Sequence, residues 1–421
     1  MVVGGLALVG PAQAVSPGVN GEIAYVQQAS GARSDIFAMN SNGSGKGRLT
    51  TTRRVGEATP AWSPKGGLLA FQALRNGARR IFELNVSTGV VRRISSGPFG
   101  DRFPTWSPDS KKVAYRSLRN RIGLGSAHIY VVPRTGGTPD KLTSMDGINT
   151  DPAWSPDGTK IAFASNNDGN YDIYVMDADG SNVIQLTTDG VGPPAVSNRF
   201  PTWSPDGTKI AHVSTRAGQS EEIWVMDVSG VVPDPAPVRL TTNVAIDRSP
   251  AWSPNGSRIA FASNRGGTFN IWSMSATNGS GLTRLTSGAA RKTEPTWQSL
   301  RGCTIVGTNG SNVLAGTSGA DVICALGGDD RITGAGGGDL IYGGPGRDVI
   351  RSGPGNDVIH GGRGNDKIYA AGGRDRLFGG YGRDTHFARD HQRDRLDGGR
   401  DRDRARVDRR LDRRQRIEVL F

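Results

Sequence analysis

Helical periodicity is the first thing missing from this chain of 421 residues. No stretch keeps its apolar residues in step with a 3.6-residue repeat long enough to build a helix that matters. Helical bundles and α/β enzymes are thereby excluded. Histidine is scarce, at 5 residues, and only His128 and His212 lie ahead of the glycine-rich C-terminal part. That is too few for a histidine-built metal centre; His212 reads as a core substitution, since it takes the aromatic place in an Ile-Ala-aromatic triplet. No G-x-S-x-G run occurs, which removes the nucleophile elbow of one large hydrolase class. No apolar run reaches the length of a transmembrane helix. What is abundant is turn chemistry, with 61 glycines and 23 prolines, as an all-β protein requires.

The glycines are concentrated. Nine nine-residue units run without a gap from Gly307 to Phe387, for example GGPGRDVIR at 343–351 and GGRGNDKIY at 361–369. Their sixth position is Asn312, then Asp321, Asp330, Asp339, Asp348, Asp357, Asp366, Asp375 and Asp384. The eighth is aliphatic from Leu314 to Leu377 and ends in His386. Each unit reads as a tight turn and a short strand, so two units make one coil of eighteen residues. Calcium takes six to eight oxygens, and stacked turns can offer carbonyls and aspartates together. An empty roll would gather like charges, which predicts folding linked to metal.

This pattern resembles the hemolysin-type (RTX) repeats, with consensus GGxGxDxUx. The resemblance implies a parallel β-roll holding Ca2+ between unit n and unit n+2, with the aspartates from Asp321 to Asp384 as metal ligands. The best-formed pairs are Asp348/Asp366, Asp366/Asp384 and Asp339/Asp357. Units beginning Ala325-Leu326 and Ala370-Ala371 lack the leading glycines. Arg347, Arg374 and Arg383 stand beside ligands, either facing solvent or weakening the sites.

A second repeat fills the larger part of the chain. Trp62, Trp106, Trp154, Trp203, Trp252 and Trp297 are spaced 44, 48, 49, 49 and 45 residues apart, each in a P-x-W segment. An apolar triplet such as Ile161-Ala162-Phe163 follows, then a strand such as Ile173–Asp177, then a close such as Leu186-Thr187. Four short strands at a period of about 40–50 residues describe a β-propeller blade. Six second, third and fourth strands occur, but the first tryptophan strand is missing at the front and turns up at Pro295–Trp297. The ring therefore closes by pairing its last strand with its first residues, leaving no open edge. The P-x-W-S-P-D-G…I-A-F…I-Y-V-M-D repeat resembles the TolB-type six-bladed propeller. About twenty residues precede it, too few for the α/β domain of a TolB protein, so the resemblance implies the fold and not a Tol–Pal role.

The expected organisation is a signal peptide at 1–14, a propeller at 20–300, a calcium-binding roll at 301–387 and an Arg/Asp-rich degenerate repeat or cap at 388–421. Ala12-Gln13-Ala14 ends a short apolar run in a cleavage-like pattern, although no basic residues precede it; an N-terminal strand is the alternative. Cys303 and Cys324 should pair in an oxidising compartment. Their loop of about twenty residues would contribute roughly 3 kcal/mol; two small core cysteines is the other reading. The last segment carries 12 arginines against 8 acids. It is either a solvated cap or a polyanion-binding arm, and without interleaved aromatics no nucleic acid is expected.

The formal net charge of +12 makes an anionic partner plausible. Loops on one propeller face carry Arg75, Arg102, Arg119, Arg199, Arg216, Arg248 and Arg265, interspersed with Glu57, Asp101, Asp151, Asp247 and Glu294. This ring is either a set of interblade salt bridges or a binding rim. The expectation is a secreted calcium-binding protein, not an enzyme, whose propeller binds a protein or an anionic cell-surface polymer. An extracellular hydrolase or lyase acting on polysaccharide is the alternative, to be favoured by two carboxylates meeting in the channel.

Overall fold

The computed structural model describes residues 18–28, 33–51, 56–97, 100–118, 126–188, 196–216, 218, 220–230, 236–300, 302–408 and 410–420. The expected signal peptide lies outside them. Six four-stranded antiparallel sheets are followed by two seven-stranded parallel sheets, and no helix occurs among the described residues.

The six sheets are the blades. Blades two to six each take four consecutive strands. Blade one joins the strand Arg291–Leu300 to Val19–Gln28, with Ile23 opposite Trp297. The tryptophans knit neighbours together. Trp106, Trp203 and Trp297 donate their indole N–H to the carbonyls of Ala61, Ala153 and Ala251, each in the innermost strand of the preceding blade, at 3.0–3.1 Å. The last of these bonds ties blade one to blade six.

The Leu-Thr and Ile-Ser pairs that end the blades also have a physical reason. In every blade the hydroxyl of Thr50, Ser95, Thr143, Thr187, Thr241 or Thr286 accepts the backbone N–H of the third strand's isoleucine. The six distances are 2.8–3.0 Å. An outer strand only two or three residues long would otherwise leave that donor open.

The S-P-D-G segments are hairpin turns between the first and second strands. Asp157 accepts the Ser155 hydroxyl at 2.5 Å and the Thr159 N–H at 3.0 Å, and Gly158 takes φ +78°. Those bonds hold the Asp157 carboxyl below its ordinary value even against the upward pull of partial burial. His212 is a core residue, buried in the second strand of blade five.

The parallel sheets form the roll. Successive coils pair in register eighteen residues apart, as Ile341 with Ile359 and Ile359 with Leu377. The eighth-position aliphatics make one continuous core from Ile323 to Leu377. His386 occupies the same column, fully buried with neither ring nitrogen bonded, and burial pushes its pKa down to about 4.

The segment after 387 continues the roll as a degenerate repeat. Both sheets continue through it, with strands at Arg395–Gly399, Arg404–Val407, Arg413–Gln415 and Val419–Leu420. Leu396 and Ala405 extend the aliphatic core. The repeat slips by one residue between Asp384 and Asp394 and then resumes at Asp403 and Asp412.

The closing strand generates a prediction. A chain ending at Ala290 lacks it, whereas one ending at Gly302 retains it. The shorter chain should melt earlier and less cooperatively by circular dichroism; equal melts would contradict the closure.

Candidate calcium site and propeller mouth

Each aspartate of the roll divides its two oxygens between different tasks. Oδ1 accepts the backbone N–H of the aspartate one coil earlier. The N–H groups of Asp330, Asp339, Asp348, Asp357 and Asp366 reach Asp348, Asp357, Asp366, Asp375 and Asp384 at 2.8–2.9 Å. Oδ2 is left buried and unpartnered in all of these residues, and in Asp394 and Asp403. A buried carboxylate oxygen without a partner is costly, so a column of them marks where positive charge belongs.

Carbonyl oxygens come to the same places. Asp348 Oδ2 and the Gly361 carbonyl oxygen both lie 2.6 Å from the point where a Cβ on Gly343 would sit. One coil on, Asp366 Oδ2 and the Gly379 carbonyl converge at 2.6 and 2.7 Å on the equivalent point beside Gly361. A hard oxygen donor set around a space that any side chain would fill suits Ca2+. The first glycine of the unit is thus required for room, independently of backbone conformation. Where Ala325, Ser352 or Ala370 replaces it, the methyl or methylene occupies the cradle belonging to Asp330, Asp357 or Asp375.

Burial is the main cause that raises the carboxyls of Asp330, Asp375, Asp394 and Asp403. It pushes Asp330 and Asp394 to about 6, Asp375 to about 7 and Asp403 to about 8. Asp366 is raised well above its ordinary value, first by burial and then by Asp384 and Asp348. Asp321 behaves differently. Its Oδ2 accepts the Thr317 N–H at 2.7 Å and the Thr317 hydroxyl at 2.9 Å, and these bonds lower its pKa. Arg347, Arg374 and Arg383 face solvent, their backbone N–H groups bonded to Asp329, Asn356 and Asn365 of the previous coil. Cys303 and Cys324 are disulfide-bonded, with a Cα–Cα distance of 5.9 Å.

The roll rests on the propeller through a column that sequence reasoning missed. Arg363, Tyr381 and Arg400 follow the second glycine of alternate units and project onto blades one and two. Arg363 pairs with Glu22 and donates to the Ala38 carbonyl at 3.0 Å. Tyr381 and Arg400 both donate to the Leu49 carbonyl, at 2.9 and 2.7 Å. Ser87 Oγ and His360 Nδ1 lie 2.8 Å apart, with the imidazole stacked between Tyr342 and Phe378. The signal available in sequence was the large residue after the paired glycines at Gly361-Gly362, Gly379-Gly380 and Gly398-Gly399.

The propeller mouth lies at the other end of the blades. Arg75 pairs with buried Glu57 at 3.7 Å and Arg265 with buried Asp247 at 2.8 Å, both within one blade. Arg199 reaches Asp151 at 3.0 Å and Arg248 reaches Glu221 at 2.9 Å, both between blades. Arg216 lies over Trp224, and Arg119 falls outside the described residues. Asp101 is buried like Glu57 and Asp247 and accepts the Ser95 and Ser117 hydroxyls at 2.6 Å.

Arg102 and Arg116 stand opposite each other on adjacent strands, each with a buried, unpartnered Nε. Burial lowers the pKa of both, and Arg102 is lowered further by Arg79 and Arg116. Inside the channel a bulge recurs in all six inner strands. Thr59, Phe103, Asp151, Phe200, Ser249 and Glu294, each before a proline, take φ between +49° and +57°. Such non-glycine residues cost of order 1–3 kcal/mol each, and their side chains line a channel space of about 200 Å³.

Comparison with known proteins agrees with this geometry. Residues 22–199 and 191–322 match the TolB beta propeller domain. The chain belongs to that family. Four overlapping matches to the RTX calcium-binding nonapeptide repeat run from 306 to 385. No curated protein matches the chain. Among solved structures it is similar to TolB from Acinetobacter baumannii, at 26% identity and TM-score 0.58, over 66% of each chain. A putative TolB from Agrobacterium tumefaciens shares 23% identity over 67% of this chain and 92% of that one, with TM-score 0.51. The Kuenenia stuttgartiensis hydrazine synthase shares 16% identity over 68% and 47%, with TM-score 0.56, which shows the fold alone. No helix among the described residues of this TolB-family chain is long and apolar enough to cross a membrane.

Two predictions follow from the carboxylate column. Asp366 has an open cradle and stacks between Asp348 and Asp384, whereas the cradle of Asp330 holds the Ala325 methyl. Asp366→Ala should therefore cost more calcium affinity in a calorimetric titration than Asp330→Ala; equal losses would mean the stacking is misassigned. The second concerns protons. With folded pKa values raised above the unfolded carboxylate value of about 3.9, the folded calcium-free roll binds protons more tightly than the unfolded one. That stability is full below about pH 4 and is lost as pH rises through the folded values near 7 and 8. In chelator the roll should melt higher at about pH 5 than at about pH 8.5, the reverse of ordinary acid destabilisation.

Proposed function

We propose that the chain is a secreted, non-enzymatic binding scaffold. Calcium folds the roll, the roll braces blades one and two, and the opposite propeller face takes an anionic protein segment or cell-surface polymer. One observation carries the reading: the column of buried, unpartnered Oδ2 atoms, with backbone carbonyls converging beside the open ones. Millimolar calcium in the extracellular medium matches the weaker end of what such sites bind. At the mouth, Arg102 and Arg116 bring two guanidiniums together with Nε groups open, which supports an anionic ligand.

The test uses the full chain in calcium and in chelator. Calcium should raise the melting temperature and the β-sheet signal. Binding to a sulfated or carboxylated glycan should be salt-dependent and lost in an Arg102→Ala/Arg116→Ala variant whose calcium response is intact. Identical melts with and without calcium would remove the first half of the proposal, and unaltered glycan binding in the variant the second.

A second reading has one observation in its favour. Asp151 and Glu294 both line the channel, and Glu294 is raised by burial, with the charge of Asp151 adding to it. Two carboxylates held in different environments are the ingredients of glycoside chemistry. Each already has a protein partner, Arg199 for Asp151 and the Thr59 N–H at 2.5 Å for Glu294. Turnover of a polysaccharide that Glu294→Gln abolishes would favour the enzyme over the scaffold.

A further inference from the structure

We propose that Asp375, Asp390 and Asp394 form a calcium site of their own. It deepens the calcium reading of the roll and depends on it. One carboxylate oxygen from each of the three lies within 4.8 Å of the others. An ion placed 2.3–2.6 Å from each would span that separation. In every member Oδ1 is already engaged: Asp375 by the Asp357 N–H, Asp394 by the Asp375 N–H and Asp390 by the Gln392 N–H, all at 2.9 Å. All three Oδ2 atoms are buried and unpartnered, and Asp375 and Asp394 are each only 1% exposed.

The site differs from the open cradles in sequence as well. In the units of Asp348, Asp366 and Asp384 the residue four places before the aspartate is a glycine, Gly344, Gly362 or Gly380. Four places before Asp394 stands Asp390, so a carboxylate enters where those units carry no side chain; Asp408 stands in the same place before Asp412. Asp390 does so beside the unit whose first glycine is replaced by Ala370, where the ordinary cradle is filled. The lost space is thus offset by an added charge. Arg389, Arg393 and Arg395 are exposed, and none of the three carboxylates is ion-paired among the described residues. Three formal negative charges around one ion favour tighter binding than two. Asp390 remains half-buried, which leaves a path for the ion and its waters.

Calcium titration of the full chain by calorimetry tests this with Asp390→Asn and Asp390→Gly. Asparagine keeps the Oδ1 contact to Gln392, and glycine is the residue that the units of Asp348, Asp366 and Asp384 carry at this place, so neither should prevent folding. Both variants should lose one ion from the stoichiometry and weaken the tightest binding phase about tenfold, while calcium still raises their melting temperature. Stoichiometry and affinity equal to those of the unaltered chain would overturn this site and leave the rest of the roll standing. A chain that binds no calcium in any form would overturn the site and the calcium reading together.

Discussion

Carboxylates stacked one coil apart in a dry wall set the terms for the C-terminal part of this protein. The backbone leaves each aspartate N–H facing the next coil, and Oδ1 of that coil's aspartate satisfies it. Once that bond is made, Oδ2 can only point inward. A row of inward oxygens demands either protons or cations. The raised carboxyl pKa values and the need for a glycine at the start of the open units are two expressions of this one constraint.

The same register carries the docking surface. Arg363, Tyr381 and Arg400 belong to the coils that hold Asp366, Asp384 and Asp403, so their spacing along the propeller is fixed by the aspartate ladder. Coils that came apart would spread these side chains and release the Leu49 carbonyl, which both Tyr381 and Arg400 hold. The arginine-bearing loops are at the far end of blades one and two and stay uncovered by the roll.

Most of the architecture could be read from spacing, because both domains are repeats and each repeat places one chemically distinctive residue at a fixed interval. The six tryptophans and the aspartates needed no folding knowledge to align. The run after Asp384 resisted for a specific reason. A ten-residue step to Asp394 breaks the phase, and arginine crowds the positions around Leu396 and Ala405, so the segment reads as a degenerate repeat or cap although Asp394, Asp403 and Asp412 are again nine apart. The contact between the domains was illegible because Glu22 and Arg363 meet only once the ring has closed and the coils have stacked.

The ring's closure has a consequence in time as well as in space. Blades two to six are each made of consecutive strands, so each can assemble as its own stretch of chain becomes available. Blade one cannot. Ile23 must wait for Trp297, the last strand made before the roll begins, and a pairing so distant in sequence is slow to form. Until then the strand from Val19 to Gln28 presents an unpaired edge, the most adhesive surface a β-protein can expose. The period of greatest vulnerability for this molecule is the interval between completing blade six and delivering the ten residues that follow it.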